Sequence, residues 1–125
     1  MRNKAEIIQL EPTTIRKIVS RGHVHTFPVE SDLFYEGQVP FVAYLIIKGK
    51  VHFTKNKRNK GNVGPGSLLG LRELYTHTPS TLGARVFPDT EVVYLDRSTI
   101  HEIMSCNEDS ELSVFFKELL LEKAL

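Results

Sequence analysis

From His23 to Thr90 the chain is cut into short runs, "HVHTFPV", "DLFYEG", "VAYLIIKGKVHFTK", "ARV" and "TEVVYLD", with Gly, Pro and Asn between them. Each run has the length and the alternating or wholly apolar pattern of a strand, and each break is turn chemistry. A stretch punctuated this often predicts an all-β barrel or roll. The run Val42 to Ile47 could be a buried helix by content alone. Gly49 and the β-branched neighbours make it a strand.

Helical spacing appears only at the flanks and once inside the roll. In "PTTIRKIVS", Pro12 to Ser20, the apolar residues Ile15, Ile18 and Val19 recur on one face behind a Thr cap, with Gly22 just past the end. After Asp96, Ile100, Ile103 and Met104 form one face, and Leu112, Phe115, Phe116, Leu119 and Leu120 form another. Asn107 to Ser110 supplies the break and cap between them. A further short helix is expected near Arg72. The fold class is therefore mainly β with flanking helices. Residues 1–125 form a single domain, with the roll at about 23–96 and C-terminal helices at about 97–125.

Charge and composition exclude several functions. Sixteen Lys and Arg stand against fifteen Asp and Glu, so no global field draws the chain to nucleic acid or to an anionic membrane. The N-terminus, "MRNKAEIIQLEPTT", lacks the apolar core of a signal peptide, and no apolar run approaches the roughly eighteen residues of a membrane span. Cys106 is the only cysteine, which rules out an internal disulfide and agrees with a cytoplasmic location. Ser67, Ser80, Ser98 and Cys106 are nucleophiles in name only, because no His and carboxylate can be placed beside them. An enzyme is not expected.

The stretch "GPGSLLGLRELYTHTPSTLGARV", Gly64 to Val86, sets closely spaced glycines before the short helix. Glycines there commonly let unpaired helix N–H groups approach an anion. The run matches neither common nucleotide loop: a dinucleotide fingerprint needs Gly where Leu69 stands, and a phosphate loop of the Walker type needs Gly-Lys before Ser or Thr.

Taken in order, these segments resemble the cyclic-nucleotide-binding domain family. "FPVESDLFYEGQVPFVAYLIIKGKVHF" is similar to the family's opening strands, with Gly49 in the turn written here Ile46 to Val51. "VGPGSLLG" is similar to the segment entering the phosphate-binding cassette, with Gly66 and Gly70 at its spacing. "DTEVVYLDRSTIHEIM" is similar to the closing strand and the next helix. The resemblance covers about Ile15 to Leu125 and implies a catabolite activator protein-like β-roll, a double-stranded β-helix or jelly roll, with the short helix as the cassette helix.

It also implies where a ligand would sit: Gly70, Leu71, Arg72, Glu73, Ser80 and Thr81. The family pattern puts Glu after the glycine to hold the ribose hydroxyl, and Arg, then Ser or Thr, then Ala, to hold the cyclic phosphate. Here the Glu position is Leu71, the Arg position is Ser80 and the Ala position is Leu82, while Gly70 and Thr81 are kept. A hydrogen bond to a charged group contributes about 1.5–3 kcal/mol, so losing both weakens binding by about 3–5 kcal/mol, roughly a hundred- to several-thousand-fold. Ordinary cAMP binding is not expected, and no cofactor is. Arg72 and Arg85 are the available substitutes, although strand alternation turns Arg85 away from Leu82, Ala84 and Val86.

The expected function is thus a non-catalytic regulatory or scaffolding domain that meets a protein partner. Leu112, Phe115, Phe116 and Leu119 make the last helix apolar on more than one stripe, which suits a homodimer. "TKNKRNKGN", Thr54 to Asn62, reads as a basic hairpin tip and a docking point for an acidic partner. The chain ends at Leu125 without a helix-turn-helix, so DNA binding is not expected. Two alternatives remain. One is a sensor of a cyclic nucleotide or other small anion through a non-standard cassette. The other is a cupin-like metal protein using His23 and His25, which lack a third firm ligand.

Overall fold

The computed structural model describes residues 7–105 and 110–120. Nine strands form two antiparallel sheets: β1 (Ile7–Gln9), β2 (His23–Phe27), β3 (Ser31–Phe34), β4 (Ala43–Lys48), β5 (Val51–Lys55), β6 (Arg58–Val63), β7 (Ser67–Leu69), β8 (Gly83–Val86) and β9 (Thr90–Leu95). The first sheet runs β1-β7-β4-β9-β2 and the second β3-β8-β5-β6. Four helices accompany them: α1 (Pro12–Val19), α2 (Leu71–Thr76), α3 (Arg97–Ser105) and α4 (Ser110–Leu120). None of the described helices is long and apolar enough to cross a membrane.

The apolar run from Ala43 explains itself once both faces of β4 are followed. Tyr44 and Ile46 point into the roll with Leu69, Val92 and Phe53, while Ala43 and Leu45 point out beneath the helices with Val93, Leu95, Ile103 and Phe116. A strand covered on both sides has no polar face to alternate with. Its register with β9 runs Ala43↔Leu95 to Ile46↔Val92.

Three strands lie outside the sequence expectation. β1 comes from a segment with no alternation to mark it, β6 takes up residues read as a hairpin tip, and β7 is three residues within the cassette-entry run; each is defined by pairing, Ile8↔Leu68, Val51↔Val63 and Leu45↔Leu68. The cap of α1 also differs. Glu11 occupies the position before Pro12 and makes no side-chain cap bond, because Pro12 opens the helix and removes one N–H that a cap would satisfy. Cys106 and the break at 107–109 lie outside the described residues, as do Leu121 and Leu125.

The β4–β5 turn shows how tightly the roll is closed. Gly49 has φ +92°, and a Cβ there would lie 2.8 Å from the Thr90 Cα. Fully buried Thr90 fastens the turn, its hydroxyl donating to the Lys50 carbonyl at 3.1 Å and accepting from the Lys50 N–H at 3.3 Å. Gly49→Ala therefore meets both a left-handed backbone and a backbone clash, and chemical denaturation is expected to show a loss of about 2–4 kcal/mol. A loss below about 0.5 kcal/mol would mean that the turn is not closed in this way.

Candidate functional site

Helix α2 starts where a helix of this kind would face an anion. Gly70 sits at its N-cap with φ +77°, a conformation that favours glycine, and the Leu74 N–H closes the first turn on the Gly70 carbonyl at 2.9 Å. Pro40 and Phe34 lie 3.5–3.7 Å from where a Gly70 Cβ would stand. The frame of a phosphate cassette is thus formed by backbone.

The side chains on that frame are apolar or already engaged. Leu71 is 1% exposed and belongs to the core under the helices, and Leu82 is 4% exposed and packs inside the roll with Phe34, Tyr44 and Leu69. Ser80 is buried. Its hydroxyl donates to the Leu82 carbonyl at 2.7 Å and accepts from the Leu82 N–H at 3.3 Å. Its backbone is clamped by the preceding loop, with Gly37 N–H donating to the Ser80 carbonyl at 2.8 Å and Ser80 N–H to the Gln38 carbonyl at 2.9 Å. Thr81 is exposed, and its carbonyl accepts from the Lys55 ammonium at 3.3 Å. Glu73 is largely buried within α2.

Both arginines named as substitutes have partners elsewhere. Arg72 turns towards the last turn of α4, donating to the Leu119 carbonyl at 3.4 Å. Arg85 lies on the outer face of its sheet, as alternation requires, 2.9 Å from Asp32 and 3.1 Å from Glu30. The hydrogen bonds it donates to Asp32 first, and then to Glu30, hold its guanidinium even more firmly cationic than usual.

Sequence reasoning missed two groups that shape this region. Arg97 caps the C-terminal end of α2, donating to the Leu74 carbonyl at 2.5 Å and the Tyr75 carbonyl at 3.5 Å, where a cation suits the helix dipole. No local pattern announces a cap that reaches across more than twenty residues. Tyr44 is the other: 8% exposed inside the roll, it donates to the Leu33 carbonyl at 3.0 Å. Here the alternation of "AYLI" puts Tyr44 on the Ile46 face and could have signalled it.

The remaining expectations divide. In α4, Leu112 and Phe116 are 3% and 0% exposed and belong to the chain's own core with Leu120. They are corrected from partner-facing to internal, because positions 112, 116 and 120 form the i, i+4, i+8 stripe that enters the core shared with α2 and α3. Phe115 and Leu119 are only partly buried, Val114 is 49% exposed, and Glu111, Val114, Phe115 and Glu118 line a depression of about 420 Å³. The basic stretch is a hairpin, β5 to β6, turning at Asn56 and Lys57 with φ +54° and +66°. His23 and His25 are exposed on β2, where His25 stacks on Tyr94 at 5.5 Å. Among the described residues no three His, Cys, Asp or Glu gather for a metal.

A family model described as "Cyclic nucleotide-binding domain" matches residues 24–107, from β2 through α3. The chain belongs to the cyclic nucleotide-binding domain family. Solved structures agree in fold. The catabolite activator protein of Thermus thermophilus is 23% identical with a TM-score of 0.68, over 92% of this chain and 55% of that one, so this chain spans about half its length. A cyclic nucleotide-binding-like protein from Brucella abortus is 28% identical with a TM-score of 0.64, over 76% of this chain and 85% of that one. A protein described under a cyclic-GMP-dependent signalling pathway in bacterial phytopathogenesis is 16% identical with a TM-score of 0.74, over 93% and 91% of the two chains. No curated protein sequence matches.

The filled interior of this cyclic nucleotide-binding domain has a pH signature. Burial, and then the charge of nearby Tyr94, pushes the Tyr44 phenol up to about 12 from its usual 10.0. A phenol whose folded pKa is raised contributes stability that is intact below pH ~10 and lost as pH rises towards ~12. Denaturation midpoints are expected to fall across that window in the wild-type protein and to fall less in Tyr44→Phe, which loses about 1 kcal/mol at neutral pH with its hydrogen bond. Equal slopes for the two proteins would place the phenol in water.

Proposed function

We propose that this domain is a non-catalytic regulatory or scaffolding module that does not bind cAMP in the usual way and works through protein contacts in cytoplasmic signalling. One observation carries the reading: Leu71 and Leu82, at the family's ribose-acceptor and small-residue positions, are built into the two cores. A nucleotide arriving at Gly70 would meet hydrocarbon where its ribose needs an acceptor, and a self-bonded Ser80 where its phosphate needs a fork of donors. The closest substitute, Arg72, would first have to leave the Leu119 carbonyl. The single cysteine of the chain supports a reducing compartment.

Family membership and the retained Gly70 cap support a second reading, a sensor of a different nucleotide or small anion. Calorimetry with cAMP, cGMP and cyclic di-GMP separates the two. The first expects no binding tighter than about 1 mM for any of them. Micromolar binding that Ser80→Ala abolishes would establish the sensor in its place.

The protein contact proposed first is self-association through the outer stripe of α4, reduced now to Val114, Phe115 and Leu119. Its support is the half-exposed Val114 and the depression beside Phe115. Light scattering is expected to give a dimer mass for the wild-type chain and a monomer mass for Phe115→Glu. An unchanged mass removes α4 from the interface.

A further inference from the structure

The two sheets present four edges, and three of them carry features that discourage stray pairing. β1 offers three residues. β3 breaks register between Asp32 and Phe34, and its Asp32 is engaged by Arg85. β6 carries Arg58 and Lys60, breaks register opposite Phe53 and Thr54, and has its Gly61 N–H taken by the Asn59 side chain at 2.7 Å. Short length, bulges and edge cations are the usual means of keeping a sheet edge from recruiting another strand.

β2 has none of them. It keeps unbroken register with β9 over five residues, from His23↔Tyr94 to Phe27↔Thr90. Four of its residues are exposed, Val24 at 54%, and it contains no Lys, Arg, Asp or Glu. No described strand pairs with its outer side.

We infer that the outer edge of β2 pairs antiparallel with β2 of a second copy of this chain. The run "HVHTF" matches itself. Centred on His25, antiparallel pairing sets each His23 opposite a Phe27 and each Val24 opposite a Thr26. These are aromatic and β-branched cross-strand pairs, of the kind that stabilise sheets. Shifting by one residue would exchange the faces and mismatch both sets. Direction follows from closure: an antiparallel pair of β2 edges lies on a two-fold axis, so each edge satisfies the other. The interface is isologous and closes as a pair. It lies on a different surface from the α4 stripe and does not depend on it.

Stable complexes bury about 1,200–2,000 Å² and a five-residue seam buries far less, so a dissociation constant of roughly 0.1–1 mM is expected. Sedimentation velocity and amide hydrogen exchange on the full chain carrying Phe115→Glu keep the α4 face out of play. Increasing concentration is expected to raise the mass towards a dimer and to slow exchange at residues 23–27 together. Val24→Lys, added to that chain, is expected to weaken the association about tenfold or more, as an edge cation should. Thr26→Lys repeats the test if Val24→Lys lowers the melting temperature. A monomer throughout the concentration range, a dimer indifferent to both lysines, or protection that appears away from β2 overturns the inference. So does tighter pairing with an added unrelated strand peptide than with the chain itself. None of these outcomes bears on nucleotide binding.

Discussion

The pairing of β4 with β9 is the constraint on which the rest of the molecule depends. Both strands are buried on both faces, so their backbone donors and acceptors have no water to turn to and must be satisfied by the ladder itself. One sheet then serves as the wall between two cores, the roll interior on one side and the helical layer on the other. Displacing β4 or β9 would open both. Thr90 and Gly49 hold one end of this wall, and Tyr44, whose phenol is buried against it, brings its own acceptor in Leu33.

The cassette is best understood as two separable layers of information. Its course is set by backbone features: Gly70 in the left-handed region, and the exchange of N–H and carbonyl groups between Ser80 and the Gly37–Gln38 loop. None of these requires a ligand. Its chemistry would be set by side chains, and the positions that the family pattern assigns to a nucleotide carry Leu71, Ser80 and Leu82. Hydrocarbon at two of them adds to the cores, and a self-satisfied hydroxyl at the third spares a buried polar group from desolvation without a partner. Leu71 and Ser80 stand where the family pattern has Glu and Arg, groups that would be costly to bury empty, and Leu82 stands where it has Ala and adds hydrocarbon.

The same division explains what could be read in the sequence. The strands β2 to β5, β8 and β9 were legible because turn residues and alternation are local, and the order and spacing of three segments made the family recognisable. β1, β6 and β7 were not legible: β6 is polar throughout, and the three-residue strands β1 and β7 exist only through the neighbours that pair with them. At the candidate site the sequence itself shows Leu71 and Ser80 where the family pattern puts Glu and Arg. The contacts around them were not legible. That Arg72 turns to Leu119, that Arg97 closes α2, and that Leu112 and Phe116 belong inside all depend on how helices pack in space. The apolar stripe of α4 announced two faces and did not say which was already covered.

These same contacts bear on what regulation could mean in such a domain. A ligand moves an equilibrium only by binding two states unequally. Here α2 is tied to the following helices: Arg97, at the start of α3, holds the α2 carbonyls, and Arg72 reaches from α2 to the Leu119 carbonyl of α4. Leu119 is one turn from Phe115, on the stripe that is only partly covered. A partner that shifts α4 must therefore move the Leu119 carbonyl and strain the Arg72 bond, so its binding energy reaches the cassette helix from the protein side. The route is short and made of named bonds, and it requires nothing from a nucleotide. On the proposed reading, such a domain responds to contact made on α4, the helix to which α2 is tethered.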